Sequence, residues 1–346
     1  PHPAGERPVT LRPAVGAIFF AVFTCSLLTN MTSSARSDEP AKQIKVGIIG
    51  LDTSHCVAFT KAMNDPEGKG DLAKVEVVAA FPAGSPDIPS SRDRVEGYTK
   101  EMRNLGVGIA PSIEALLPKV DAVLLESVDG RPHLEQVKQV FAAGKPVFVD
   151  KPVAGTLADA VEIFRLAKEH KVPCFSSSSL RFSPGILKAK TDEKLGGVLG
   201  CDAYGPCALE EHHPDLFWYG IHGVETLFTI MGTGCESVAR TQTPDGELVV
   251  GVWKGGRIGT FRGIRAGKSD YGATVFGKKA ITQAGSYSGY QPLVERIATF
   301  FVTHEPPVSA EETLEIYAFM EAADASKRSG GAPVTIESVM AKAQPK

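Results

Sequence analysis

The stretch Val46-Gly-Ile-Ile-Gly50-Leu-Asp52-Thr-Ser-His55 opens the alternating part of this 346-residue chain. An apolar run that ends in a glycine and turns into a helix is typical of nucleotide-binding α/β folds. In such folds a second glycine lets a pyrophosphate approach the backbone, and a third lets the helix pack closely. Asp52 and His55 stand at those two places. The stretch therefore predicts the fold and leaves open whether a dinucleotide binds.

Apolar strand-like runs alternate with helical runs over residues 44–175. The strand-like runs are KVGIIG, VEVVAAF, AVLLESV, PVFVDKP and VPCFSSS. A capping box at Thr156–Asp159 opens one of the helices between them. This alternation predicts a Rossmann-type, doubly wound parallel sheet with right-handed crossovers.

The pattern changes after Pro184, where glycine becomes frequent and strand-like runs replace the alternation. Two helical runs follow, one near Pro292–Val302 and one that begins at Ser309. We therefore expect residues 176–346 to form an α+β domain with an open, mostly antiparallel sheet.

Residues 1–35 have the layout of a secretory signal peptide. Arg7 and Arg12 precede the apolar run Ala14–Leu28, and small residues follow up to Ala35. The run has about fifteen residues, whereas a membrane span needs roughly twenty. We expect cleavage after Ala35, with residues 36–43 as a linker, and a periplasmic or secreted protein that is not held in a membrane. An uncleaved anchor is the alternative.

Charge and cysteine content exclude several classes of function. The net charge is −3 and there is no basic run, so we expect no nucleic-acid partner. Five cysteines follow the leader without a CxxC motif, which argues against a disulfide framework and a zinc ribbon. A pairing of Cys201 with Cys207 stays open. The histidines and acids match no metal-binding signature, so no metal is predicted.

Three motifs, in the right order and spacing, resemble those of the Gfo/Idh/MocA family, the glucose–fructose oxidoreductases and inositol dehydrogenases. GKPVFVDKPVAGT, residues 144–156, resembles the family's AGKHVxxEKPxA signature. Arg181-Phe-Ser-Pro184 resembles its RFxP turn, and Gly220-Ile-His222-Gly-Val-Glu225 resembles its DxGxHxxD helix. The resemblance covers roughly residues 44 to 330.

The resemblance implies hydride transfer between a carbon of a sugar or cyclitol and the nicotinamide of NAD or NADP. Lys151 would position the substrate hydroxyl and His222 would be the acid/base. The nucleotide loop would contain Gly47, Gly50, Asp52, Thr53, Ser54 and His55, and the substrate side would contain His133, Arg181, His213, Asp215 and Trp218. The family's open sheet implies a homo-oligomer.

Departures from the family pattern keep other functions open. Trp218 stands where the family has an aspartate, and it could instead stack on a sugar ring. Asp52 is predicted to cap the first helix and so to occupy the N–H groups that a phosphate needs. One alternative is a redox-inactive carbohydrate-binding protein, or one that does non-redox acid/base chemistry such as elimination. Another is an exported interaction module.

Overall fold

The computed structural model describes residues 43–344, which form one compact unit with two sheets. The signal peptide predicted over residues 1–35 lies outside the described residues, as does all of the predicted linker except residue 43. None of the helices described combines the length and the apolar character that crossing a bilayer requires.

The first sheet is fully parallel, and its six strands have the order β3-β2-β1-β4-β5-β6. This order is that of the Rossmann fold, as the sequence predicted. The strands are short and buried on both faces, which is typical of parallel sheets. They are β1 Ile44–Ile49, β2 Val75–Phe81, β3 Gly108–Ile109, β4 Ala122–Leu125, β5 Val147–Val149 and β6 Cys174–Phe175.

Five helices connect these strands, and local capping sets their ends. Thr156 Oγ1 accepts a hydrogen bond from the backbone N–H of Asp159, so Thr156 caps the helix as predicted, while Asp159 Oδ2 accepts from the Thr156 hydroxyl rather than from its backbone N–H. The fourth helix ends at Ala142, shortly before Gly144. The helices are α1 Ser54–Met63, α2 Pro89–Asn104, α3 Ile113–Leu116, α4 His133–Ala142 and α5 Leu157–His170.

The second sheet has seven strands in the order β12-β11-β7-β10-β9-β8-β13. All neighbours are antiparallel except β7 and β10, so the predicted open, mostly antiparallel sheet is confirmed. Strands β8 and β13 were missed by the sequence analysis. The strands are β7 Val198–Pro206, β8 Cys235–Thr243, β9 Gly246–Trp253, β10 Arg257–Ile264, β11 Gly272–Gly277, β12 Ile281–Ala284 and β13 Val334–Thr335.

Five more helices complete the structure: α6 Pro184–Thr191, α7 Ile221–Met231, α8 Gln291–Thr303, α9 Ala310–Arg328 and α10 Ile336–Ala343. A π-helical turn, Leu216–Gly220, leads directly into α7. Helices α7 and α9 pack on the second sheet, whereas α8 packs on α1. Leu293 and Ile297 of α8 therefore join the hydrophobic core beside the first sheet.

The five cysteines within residues 43–344 are all free and buried. The pairing of Cys201 with Cys207, which the sequence left open, is therefore not formed. Cys207 instead donates a hydrogen bond from Sγ to Oε1 of Glu247, at 2.8 Å.

Two helical glycines give a test of how closely α7 packs on the second sheet. A Cβ on Gly223 would lie 2.1 Å from Cε2 of Phe261, whereas one on Gly97 of α2 would meet nothing within 4 Å. We expect Gly223→Ala to lower the free energy of unfolding by about 1–3 kcal/mol, because the helix and the ring must move apart. Gly97→Ala should raise it by about 0.5–1 kcal/mol, because alanine favours a helix. Urea denaturation measures both changes, and equal effects would contradict the close packing.

Candidate active site

The carboxyl ends of β1, β4 and β5 meet at one edge of the first sheet, the edge where open α/β sheets bind ligands. A cavity of about 380 Å³ lies there, a volume within the usual range of about 300–1,000 Å³ for small-molecule sites. Residues from the first sheet's loops and helices and from the segments around the second sheet line this cavity. They are Thr53, Ser54, His55, Ser90, Arg94, Val128, Lys151, Ser179, Leu180, Trp218, Tyr219, His222, Tyr271, Tyr287 and Tyr290.

Aromatic rings form a chain along the wall of this cavity. Consecutive ring centroids are between 4.7 and 6.5 Å apart, and most pairs meet edge to face. We call this row of rings the aromatic rim. Its members, in order, are His55, Tyr290, Tyr287, Tyr271, His222 and Tyr219. Rings with polar tips can pack on the apolar face of a ligand and still hydrogen-bond to it.

Lys151 lies in the cavity, where its place after β5 puts it. Its Nζ is 5.9 Å from the centroid of the Tyr219 ring, within the range of a cation–π interaction. Lys151 thus brings a positive charge to an otherwise aromatic wall.

His222, near the start of α7, reaches the same cavity from the other side. Its Nδ1 is 2.7 Å from Oγ of Ser178, so Nε2 is the ring nitrogen available to a ligand. Burial, followed by the charges of Lys151 and His55, lowers the pKa of His222 well below 6.5. The imidazole is therefore neutral near pH 7 and can accept a proton.

His55, which the sequence analysis assigned to the nucleotide loop, contacts Asp150 and Phe59 in the structure. Its Nδ1 is 2.6 Å from Oδ2 of Asp150, the residue before Lys151, and its ring stacks on Phe59. Burial raises the pKa of Asp150, but the charges of the neighbouring His55 and Lys151 lower it by more. The pKa of Asp150 therefore lies below its usual range. The sequence analysis missed this buried pair.

The two glycines predicted for the nucleotide loop have different roles. Gly50 has a φ of +99°, and a Cβ there would lie 2.2 Å from the backbone N of Ser127. Gly47 instead lies inside β1, where a Cβ would be 3.0 Å from a methyl group of Val120. Gly47 therefore serves strand packing rather than the loop, contrary to the prediction.

Asp52 does not cap α1, so that prediction was wrong. Its side chain is fully buried and accepts hydrogen bonds from Ser91 Oγ at 2.6 Å and from Val128 N at 3.0 Å. Burial raises the pKa of this carboxyl. The cap is Thr53, whose Oγ1 accepts from the N–H of His55 at 3.4 Å. The Asp52 carboxylate therefore does not compete with a phosphate for the start of α1.

Of the residues predicted for the substrate side, Trp218 lines the cavity. Arg181 does not, because its guanidinium is buried and donates to Glu225 and Glu312, at 2.7 Å each. His133 is also buried, with ring nitrogens 2.8 Å from Ser127 O and 3.2 Å from Val153 O. Arg181 and His133 thus lie close to the cavity along the chain, but their side chains point into the protein interior.

His213 and Asp215 also lie outside the cavity lining, contrary to the prediction. The His213 ring is held between Glu210, 3.0 Å from Nδ1, and Asp129, 3.1 Å from Nε2. Asp215 accepts hydrogen bonds from Arg240 and Lys327, at 2.7 Å each. Both residues stabilise the loop before α7 rather than a ligand.

Several cavity residues were missed because they come from segments without a recognised motif. Ser90 and Arg94 lie in α2, and Tyr271 precedes β11. Only the tyrosine-rich segment Ser286–Tyr290 could have been noticed in the sequence, since it places two rings close together.

Residues 44–178 match the model of GFO_IDH_MocA, described as an oxidoreductase family with an NAD-binding Rossmann fold. Over these residues the chain is therefore similar to the NAD-binding domain of that family. The chain is 29% identical over 162 residues to dehydrogenase aclE of Aspergillus oryzae, which is 46% of this chain and 42% of that protein. It is 32% identical over 139 residues to 1,5-anhydro-D-fructose reductase of Ensifer adhaerens, covering 38% and 40%. The chain thus matches less than half the length of either relative.

The fold likeness to Gfo/Idh/MocA-type structures extends over both sheets. The structure of scyllo-inositol dehydrogenase from Lactobacillus casei with bound NAD(H) and scyllo-inositol superimposes with a TM-score of 0.70. The superposition covers 86% of this chain and 100% of that chain, at 15% identity. At this identity the likeness establishes the fold.

Within the Rossmann-type domain, side chains connect the loops that follow β2 and β4. Ser85 Oγ donates to Asp129 Oδ2 at 2.5 Å, and Arg131 donates to Asp87 at 2.8 and 2.9 Å. Because β2 and β4 flank β1, these contacts cross the carboxyl end of β1. We call this set of contacts the strap. It lies at the edge where a Rossmann sheet binds its dinucleotide.

Proposed function

We propose that the chain is an NAD(P)-linked oxidoreductase that acts on a sugar, a cyclitol or a related polyol. The observation that carries this proposal is the convergence of Lys151 and a neutral His222 on one aromatic-walled cavity beside the start of α1. The family of the Rossmann domain and the sugar reductase among its relatives support the same class of substrate. Bound NAD(P) supplies the hydride chemistry.

The residues of this chain would handle the substrate's ring and its proton. Lys151 holds a substrate hydroxyl through its ammonium, and His222 accepts the hydroxyl proton at Nε2 as general base. The aromatic rim and Trp218 pack against the C–H face of the ring and exclude water. Such a division of labour requires that His222 be neutral, which its surroundings ensure.

The start of α1 fits a phosphate-bearing cofactor. A helix N-terminus offers free N–H groups to an anion, and Thr53 and Ser54 line the cavity at this point. The Asp52 carboxylate is turned away to Ser91. On the α2 side, Ser90 adds a hydroxyl and Arg94 adds a cation.

Titration of the full chain with NAD(H) and NADP(H) by calorimetry tests this function. We expect binding at micromolar concentration. Arg94→Gln should weaken it by about tenfold, the effect of losing one charge-assisted hydrogen bond. Arg92→Gln is the matched control, because Arg92 lies on the same helix but pairs with Asp93 and does not line the cavity. No binding of folded protein at millimolar nucleotide would refute the redox function.

The strap favours a second candidate, non-redox acid/base chemistry on a carbohydrate. Ser85 and Asp129 are buried where they meet, and Asp52 links α2 to the loop after β4. These protein atoms would occupy part of the space that a dinucleotide takes over the carboxyl end of β1. Lys151 and His222 would serve an elimination equally well. Failure to bind nucleotide, together with binding of a sugar or cyclitol that depends on Lys151, would support this candidate.

The electrostatic link between Lys151 and His222 can be measured without knowing the substrate. Because the Lys151 charge helps to lower the pKa of His222, Lys151→Met should raise that pKa toward 6.5, although burial will keep it below. An NMR titration of the histidine rings, assigned with His222→Asn, measures the change. Lys119→Met, on an exposed lysine outside the cavity, should leave the pKa unchanged. The same titration curve in wild type and Lys151→Met would contradict the arrangement.

We also propose that the protein is a homo-oligomer that associates through the outer face of the second sheet. Val252 and Ile258 are cross-strand partners on this face, with 37% and 52% of their surface exposed, and Tyr204 lies on the same face, 36% exposed. The opposite face packs on α7 and α9. Contiguous exposed apolar side chains mark association surfaces, and a second copy can cover such a face by two-fold symmetry.

Light scattering on gel-filtered protein tests the association. Ile258→Asp should convert the oligomer to a monomer, because a charge would be buried without a partner. Leu209→Asp, an equally drastic change at an exposed loop residue after β7, should leave the mass unchanged. A monomeric wild-type protein would contradict the proposal.

We further propose that the protein is exported to the periplasm or secreted. The support is the charged, apolar and small-residue layout of residues 1–35. N-terminal sequencing of protein recovered from cell fractions tests it. An intact leader on protein in the cytoplasmic fraction would contradict export.

A further inference from the structure

Three buried side chains with metal-binding atoms meet beneath the cavity. Glu126 follows β4, Asp150 follows β5 and His55 lies in the first turn of α1. One donor atom from each lies within 4.8 Å of the other two. Because β1, β4 and β5 are neighbours in the sheet, their carboxyl ends bring these residues to one point.

Carboxylate oxygens in this cluster lack partners among residues 43–344. Glu126 is fully buried, and neither Oε1 nor Oε2 has a hydrogen-bond partner; the same holds for Oδ1 of Asp150. A buried polar group without a partner costs about 1–3 kcal/mol, and a charged one costs more. Burial and the neighbouring Asp150 and Asp52 raise the pKa of Glu126 well above its usual value. Protonation removes the charge of Glu126 but gives its oxygens no partner.

We propose that His55, Glu126 and Asp150 bind a divalent transition-metal ion. An ion between them replaces the hydrogen bond between His55 Nδ1 and Asp150 Oδ2, and it gives the Glu126 carboxylate a partner. Two carboxylates balance the charge of a divalent cation. One imidazole nitrogen with two carboxylate oxygens suits Zn²⁺ or Mn²⁺, whereas Ca²⁺ and Mg²⁺ prefer oxygen ligands alone.

Three protein ligands leave a coordination position for a ligand from the cavity, as in catalytic zinc sites. His55 is the member of the cluster that lines the cavity, so the ion lies at the cavity floor on the same side as Lys151. At that position it polarises a hydroxyl or carbonyl oxygen of a bound ligand. Metal binding by this cluster does not depend on a nucleotide, so the inference stands apart from the redox function.

The test is titration of the full chain with Zn²⁺ and with Co²⁺ after treatment with EDTA and dialysis. We expect one equivalent of Zn²⁺ to bind and to raise the melting temperature as its concentration rises. Co²⁺ should give the visible absorption of a low-coordinate nitrogen and oxygen site. Mg²⁺ should do neither. Absence of stoichiometric binding would overturn the proposal.

Two glutamine variants locate the ion. Glu126→Gln should weaken Zn²⁺ binding by more than about tenfold, since loss of even an outer-shell partner costs about 10- to 100-fold. Metal-free Glu126→Gln should melt no lower than metal-free wild type, because it removes a carboxyl from beside Asp150. This comparison excludes misfolding as the cause.

Glu210→Gln is the matched control. Glu210 also lies beside a histidine, with Oε2 3.0 Å from Nδ1 of His213, but both of its oxygens have hydrogen-bond partners. This variant should bind Zn²⁺ as wild type does. If Glu210→Gln abolishes binding and Glu126→Gln does not, the ion lies beside Glu210 and His213 and the proposal is wrong. Neither result depends on nucleotide binding.

Discussion

The close approach of β1 to the loop after β4 is the contact on which the site depends. Gly50 makes it possible, because its φ is +99° and a Cβ there would lie 2.2 Å from the backbone N of Ser127. Since β1 lies between β2 and β4, with β5 next to β4, the loops after all of these strands then crowd together at one edge. The cavity, Lys151 and the buried cluster around Asp150 all lie at that edge.

The two histidines of the aromatic rim have hydrogen-bond partners of different charge. Nδ1 of His222 meets a hydroxyl and its ring lies near the Lys151 cation, which favours the neutral imidazole. Nδ1 of His55 instead meets the Asp150 carboxylate.

Motifs located Lys151 and His222 correctly in the cavity because each is tied to the end of a regular element. Rules based on neighbouring residues failed where a side chain forms hydrogen bonds with residues that are distant in the sequence. Asp52 is a good helix cap by residue type, but Ser91 and Val128 bind it instead. Arg181 lies on the segment that the motif indicated, yet Glu225 and Glu312 hold its guanidinium inside the protein. Sequence spacing predicts which segment reaches an edge, and it does not predict which way each side chain points.

The sequence by itself determined the alternation that makes a parallel sheet, the strand ends that border the cavity and the N-cap of α5, because these follow from short-range periodicity and backbone hydrogen bonding. Only the tertiary structure decided the rest. His55 and Asp150 pair across 95 residues, and Tyr271 and Tyr290 reach the cavity from the second sheet and the loop before α8. These contacts depend on how α8 and the second sheet pack against the first, and no local pattern encodes that packing.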